Sequence, residues 1–302
     1  MKKTLIVIAG PTAVGKTEIA IRLAQYFNTS IVSADSRQCY REMRIGTAVP
    51  EDAELQTVPH FFIHSHSVLN SLNVGDYEEL ALNYLEQIFQ VKDVAVLVGG
   101  TGLYIKALCE GIDEMPTIEK SIQEEVSLLF ENKGIEGLQF ALKEEDPEFY
   151  EKGEVQNPHR AIRALSFKRS VGTSILNYRT GKIKNRPFQI IKIALELPRT
   201  ELYERINQRV EKMMQEGLLD EVKELHHLKH LKNLQTVGYT ELFDYIDGEY
   251  SLDTAVQLIQ QHSRNYAKRQ LTWLRKDKEF HWFSPKDYPQ ILQKVKDLLP
   301  SL

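Results

Sequence analysis

The chain has 302 residues, 42% of them hydrophobic and 26% charged, which is the balance of a soluble globular protein with one large domain or two modest ones. No stretch reaches the ~20 apolar residues that span a bilayer, so no membrane partner is expected. Two cysteines, Cys39 and Cys109, give neither metal-ligand spacing nor a disulfide framework, and a reduced, cytoplasmic setting fits.

Thr4 to Ala9 (TLIVIA) is a continuous apolar, β-branched run, the pattern of a strand covered on both faces. It leads into a glycine turn rather than a small-residue cleavage site, so it reads as a buried strand and not as a signal peptide. Thr17 to Phe27 carries Ile19, Ala20, Leu23, Ala24 and Phe27 at helical spacing. A short strand follows at Ile31 to Ser33, a helix at Tyr77 to Phe89, and a second buried strand at Val94 to Val98, ending in Gly99-Gly100-Thr101-Gly102. Alternating covered strands and helices predict a parallel α/β sheet. From about Ile118 to Asn177 the pattern changes to short polar helices, and Gln189 to Leu197 returns to strand character. The expected fold class is therefore α/β: a P-loop NTPase-like parallel-sheet core with a helical insertion and C-terminal helices. The core spans 1–115 and 187–302, and the insertion spans 116–186. A long amphipathic helix is expected from Glu201, with Thr200 as its N-cap and Ile206, Val210, Met213, Met214, Leu218, Val222 and Leu225 along one stripe.

Gly10-Pro11-Thr12-Ala13-Val14-Gly15-Lys16-Thr17 matches G-x-x-x-x-G-K-[ST], with the required strand before and helix after. Such a loop points successive N–H groups at phosphate oxygens, and the helix N-terminus adds partial positive charge. Lys16 supplies a point charge, and Thr17 offers a hydroxyl to Mg²⁺. A typical ATP-using relative ends its second apolar strand in an Asp that holds the metal. Here that strand ends in Gly99-Gly100, which makes ordinary ATP hydrolysis a poor fit. Asp35, after the second strand, falls where strand ends converge on a ligand crevice. It is placed there to take a proton or orient a ligand, and a plain turn cap is the alternative.

The net charge of −4 hides an asymmetry. Val155 to Leu195 contains no acidic residue but includes Arg160, Arg163, Lys168, Arg169, Arg179, Lys182, Lys184, Arg186 and Lys192. A second cluster holds Arg264, Lys268, Arg269, Arg275, Lys276 and Lys278. Either a polyanion-binding face or solvated helix faces would look like this.

Six segments in order carry a family resemblance: GPTAVGKT from Gly10, SADSRQCYREMRIGTAVP from Ser33, VGGTGLYIKAL from Val98, NPHRAIRAL from Asn157, VGYTELFDYIDGE from Val237 and RNYAKRQLTWLR from Arg264. The chain resembles the tRNA dimethylallyltransferases, which prenylate the adenosine beside the anticodon. Cys39 and Val14 depart from the family's commoner small or apolar residues without touching the chemistry. The resemblance implies dimethylallyl diphosphate and tRNA as substrates and partners, pyrophosphate as product, Mg²⁺ as cofactor, and a cytoplasmic monomer. The end at Leu302, without the zinc-finger extension of some eukaryotic relatives, implies a bacterial-type enzyme. By the same resemblance Asp35 is the general base, Thr101 contacts the substrate near the leaving pyrophosphate, and Gly10 to Thr17 hold the diphosphate. Arg205 is a further pyrophosphate candidate, with Arg199 and Arg209 nearby. Asp35, Ser36, Arg37, Gln38, Thr101, Gln123, His159, Arg160, Ala161, Ile162, Arg163, Gly238 and Tyr239 are implied in tRNA contact. Two rival readings stand beside this one. A small-molecule or nucleotide kinase would leave the basic run and the Gly99 to Gly102 turn without a role. An RNA-binding regulator would carry the P-loop as a relic.

Overall fold

The structure is a computed structural model that describes residues 2–299, so Met1 and residues 300–302 of the expected core lie outside the described residues. The chain divides into two compact units, one formed by Met1–Glu110 with Asn185–Leu302 and the other by Gly111–Lys184. The sequence pattern predicts an insertion at 116–186, and the compact unit is Gly111–Lys184.

The first unit opens with β1 (Thr4–Ala9), α1 (Lys16–Tyr26), β2 (Ile31–Ser33), α2 (Asp52–Thr57), β3 (His60–Phe61), α3 (Val74–Val91), β4 (Val94–Gly99) and α4 (Gly102–Glu110). The second unit contains α5 (Lys120–Glu145), α6 (Pro147–Lys152) and α7 (Pro158–Val171). The first unit resumes with β5 (Gln189–Leu195), α8 (Arg199–Gln215), α9 (Leu218–Leu225), α10 (Thr240–Ile246), α11 (Leu252–Leu274), β6 (His281–Phe283) and α12 (Tyr288–Leu298). Six strands form one sheet in the order β3-β2-β4-β1-β5-β6, and every pairing is parallel.

The apolar run of β1 is explained by burial on both faces. Leu5, Val7 and Ala9 enter one core cluster, while Ile6 and Ile8 enter the other. Parallel crossovers cover both faces with helices, which is why the strand shows no polar alternation. β5 breaks that pattern at Lys192, which is 5% exposed and binds Asp277 (2.8 Å), Glu279 (2.7 Å) and Glu110 (3.4 Å).

Three helical expectations change. α3 begins ahead of Tyr77 because Asn73 and Asp76 form a reciprocal capping box. Thr200 does not cap α8; Pro198 is the N-cap and Thr200 lies inside the first turn. The expected single amphipathic helix is two, because Gly217 adopts φ 100° and ends the stripe's first half at Met213 and Met214. Leu218, Val222 and Leu225 resume it on α9. The second unit is helical throughout its regular elements, with Gly134 (φ 63°) breaking α5. Its own core includes Val126, Leu138, Phe149, Leu165 and Phe167.

Candidate active site

β1 delivers the chain into the P-loop. Ala13 (φ 62°) and Gly15 (φ 100°) take left-handed conformations. At Gly15 that geometry starts α1 with no side-chain cap, so the first-turn N–H groups keep no intrahelical partner. Gly15, Lys16 and Thr17 line a cavity of about 260 Å³ together with Thr12 and Ala13. Gly10, Pro11 and Val14 do not line it: Val14 packs its side chain in the core, and the Lys16 Nζ donates to the Pro11 carbonyl at 2.7 Å. These three residues of the expected phosphate loop shape its backbone.

A second cavity of about 210 Å³ shares Thr12, Asp35, Arg209 and Tyr266 with the first. Asp35 therefore stands in the common wall. Its Oδ1 accepts from the N–H groups of Arg37 (2.9 Å) and Gln38 (3.3 Å), so the carboxylate caps a turn as well as facing the cavities. The turn-capping reading of Asp35 is seen directly in these hydrogen bonds, and the residue also lines both cavities. Ser36, Arg37 and Gly238 line the second cavity, and Gln38 lines the first while donating to the carbonyls of Thr47 (3.3 Å) and Ala48 (3.1 Å).

Thr101 lines neither cavity. Its Oγ1 accepts from the Ser36 N–H at 3.1 Å, and its side chain is hydrogen-bonded to Tyr266. It braces the Asp35 turn through Ser36. Burial, reinforced by the charge of Asp35, pushes the Tyr266 phenol up to about 12.

Arg205, expected on the pyrophosphate, pairs with Glu201 at 3.0 Å and lines neither cavity. Arg209, one helical turn on, lines both. Burial depresses the Arg209 guanidinium, and Asp35 partly offsets this. Burial also lowers Lys16 to about 7, assisted by the charge of Arg209 and opposed by Asp35. Two cations and one carboxylate thus share a space enclosed by protein.

Tyr266 and Gln270 carry roles that the sequence reading did not assign. The signal was their i, i+4 spacing within RNYAKRQLTWLR, which puts both on one face of α11.

The expected tRNA contacts separate by burial. Tyr239 is 0% exposed and donates its hydroxyl to Glu221 Oε1 at 2.6 Å, so it supports the site from inside and does not present itself to RNA. Gly238 lines the second cavity and donates its N–H to Glu241 at 2.7 Å. In the helical unit, Gln123, His159, Arg160 and Arg163 are exposed. Ala161 is fully buried in that unit's core and offers no side chain to RNA, whereas Ile162 packs against that core half-buried.

The basic runs divide similarly. Arg169 is bound by Glu145 (2.5 Å) and Glu125 (2.7 Å), Arg186 by Glu78 (2.7 Å), and Lys192 by its three carboxylates. These are structural ion pairs. Arg264 donates to Asn207 Oδ1 at 2.6 Å and Arg275 to Glu196 at 3.3 Å. Trp273 is partly buried and packs where a Cβ on Gly102 would meet its ring, as expected for a core residue. Among the described residues no cluster of three or more His, Cys, Asp or Glu forms a metal centre, and no helix is long and apolar enough to cross a membrane.

Residues 38–277 match the family described as IPP transferase. The chain is 44% identical over 290 residues to the tRNA dimethylallyltransferase 1 of Bacteroides fragilis, covering 96% of each chain. It is 45% identical over 303 residues to the tRNA dimethylallyltransferase 1 of Bacteroides thetaiotaomicron, covering 99% of this chain and 98% of the relative. Its structure resembles the crystal structure of the full-length tRNA isopentenylpyrophosphate transferase from Bacillus halodurans with a TM-score of 0.73 and 34% identity, covering 98% of this chain and 96% of that one. The family match over most of the chain, and the similarity over nearly the full length of these relatives, place the chain in the IPP transferase family, among the tRNA dimethylallyltransferases.

Proposed function

We propose that this protein transfers a dimethylallyl group from dimethylallyl diphosphate to the exocyclic amine of the adenosine just 3′ of the anticodon in tRNA, releasing pyrophosphate. The observation that carries the reading is the position of Asp35 in the wall shared by two cavities, one floored by a phosphate loop and the other not. The diphosphate sits on Gly15, Lys16 and Thr17, with its allylic carbon toward the shared wall. The adenine enters from the second cavity.

An adenine amine is a poor nucleophile because its lone pair is delocalised into the ring. Asp35 takes one of its protons as the N–C bond forms, a contribution of roughly 10²–10⁴-fold. The allylic C–O bond breaks with its electrons passing to the diphosphate. Lys16 and Arg209 face that departing charge in an enclosed site, where fixed cations act more strongly than in water. Both have lost solvation to be there, so an arriving polyanion restores what burial removed.

Magnesium suits this donor set. It favours one or two protein oxygens completed by phosphate and water, and Thr17 supplies a hydroxyl in the cavity wall beside Lys16. Thr17 would hold the ion, which would neutralise diphosphate charge.

To reach Asp35 the adenosine must leave the anticodon-loop stack, at a cost of a few kcal/mol. Exposed cations such as Arg163 grip the RNA phosphates, and the enzyme acts as a cytoplasmic monomer. Unmodified tRNA incubated with Mg²⁺ and labelled dimethylallyl diphosphate should acquire label in the RNA. Absence of label there, with transfer of a terminal phosphate from ATP instead, would overturn the proposal in favour of a kinase.

A further inference from the structure

Gln270 is 7% exposed and makes two hydrogen bonds to separate loops. Its Oε1 accepts from the Thr12 N–H at 2.9 Å, and its Nε2 donates to the Gly100 carbonyl at 2.9 Å. The orientation of the carboxamide is fixed by its partners, since a backbone N–H only donates and a carbonyl only accepts. The fit is close: a Cβ on Gly100 would lie 2.2 Å from Nε2, so the glycine there makes room for the side chain.

Thr12 is the only P-loop residue that lines both cavities. Thr12 thus stands in the wall common to both cavities, and its backbone N–H is the one taken by Gln270. In a loop built for triphosphates, that N–H would be available to a phosphate oxygen. Here it is already bound, and the group bound to it presents a carbonyl dipole. An allylic carbon tolerates that neighbour, whereas a third phosphate loses a donor and meets the negative end of a dipole.

Resting on the diphosphate reading above, we infer that Gln270 is a specificity-determining residue that restricts the P-loop to diphosphates by capping the Thr12 N–H. It also ties the phosphate loop to the loop bearing Thr101, and hence to the Asp35 turn. Truncation would free the Thr12 N–H for an anion and remove the opposing dipole.

Calorimetric titration of the full chain with pyrophosphate and with tripolyphosphate, each with Mg²⁺, reads this without requiring turnover. The wild type should bind pyrophosphate more tightly. In Gln270→Ala the ratio of the two dissociation constants should move toward tripolyphosphate by about tenfold, the value of one charge-assisted hydrogen bond. Gln270→Glu keeps the acceptor for Thr12 and adds negative charge, so its ratio should move the other way. A ratio taken on one preparation is independent of the folded fraction, and a purely structural role would shift both constants together. An unchanged ratio in both variants would overturn the inference, as would tripolyphosphate binding the wild type as tightly as pyrophosphate. Prenyl transfer to tRNA by the same wild-type preparation keeps the two proposals distinct: an unchanged ratio with transfer intact sinks only the role of Gln270.

Discussion

Arg209 and Lys16 face one cavity as two partly desolvated cations, and the lysine lies at about 7, through burial first and the arginine's charge second. The charged lysine is the form that binds phosphate. Below pH 7 it is already protonated, while above pH 7 an arriving diphosphate must bring a proton with it. Pyrophosphate affinity should therefore fall as pH rises from 7 toward 9, by up to about tenfold per unit. Because pyrophosphate titrates as well, Lys16→Arg is the control, since its guanidinium stays charged throughout. Calorimetry in buffers of different ionisation enthalpy should show greater proton uptake at pH 8 for the wild type than for the variant. Equal uptake would mean that Lys16 enters the complex in the charge state it already has.

Asp35 holds two backbone N–H groups as well as facing both cavities, so its two duties can be separated by the choice of substitution. Asn keeps an oxygen for the turn but no longer accepts a proton. Ala loses both functions. Asp35→Asn should lower single-turnover prenyl transfer by about 10²–10⁴-fold with tRNA affinity kept. Asp35→Ala should match that loss and also weaken tRNA binding in a filter assay. If the Asn variant alone lost tRNA binding and kept its transfer rate, Asp35 would be a recognition residue.

How much of this was legible in sequence depended on whether the signal was local. The strand before Gly10 and the helix after Thr17 announced the phosphate loop because each has its own periodicity, and the loop between them is a backbone device. Asp35 was legible from strand-end topology. Arg209 was not separable from Arg205 and Arg199, because which arginine on a helix reaches a cavity depends on how α8 lies against the sheet. Tyr239 and Ala161 sit inside motifs whose neighbours are exposed, and only tertiary packing reveals that their side chains face inward. Lys192 looked like part of a cationic face because its carboxylates, Glu110, Asp277 and Glu279, are distant in sequence. β3 and β6, at two and three residues, are too short to carry a period and exist because a neighbouring strand offers an edge.

Tyr239 should behave as a support. Glu221 accepts from the N–H groups of Arg44 (3.0 Å), Ile45 (2.8 Å) and Gly46 (3.1 Å) as well as from the Tyr239 hydroxyl. Gly46 borders the second cavity. Tyr239→Phe removes one donor to a carboxylate and should cost about 1.5–3 kcal/mol of stability, read by urea denaturation. Its tRNA dissociation constant, measured where the variant is fully folded, should stay within about twofold of the wild type, far from the tenfold change expected per 1.4 kcal/mol of lost contact. A larger loss of affinity without destabilisation would make Tyr239 a contact residue after all.

The two kinds of basic residue should separate in a salt titration. Arg163 is exposed on α7, whereas Lys192 is held beneath the surface by Asp277, Glu279 and Glu110. Burial opposes the Lys192 charge, but the carboxylates outweigh it and hold the ammonium above the ordinary lysine range. Arg163→Ala should reduce the slope of log affinity for tRNA against log salt by about 1 if it neutralises one phosphate. It should leave thermal stability nearly unchanged. Lys192→Met should leave the salt slope as it is but destabilise the fold by about 3–5 kcal/mol, because it strands carboxylates that the ammonium had neutralised. Were Lys192→Met to change the slope in a folded protein, the sheet's buried lysine would have to act on RNA through the long-range field. Lys192 is buried and outnumbered by its three carboxylates, so it neutralises no RNA phosphate and the salt slope should follow the exposed arginine alone.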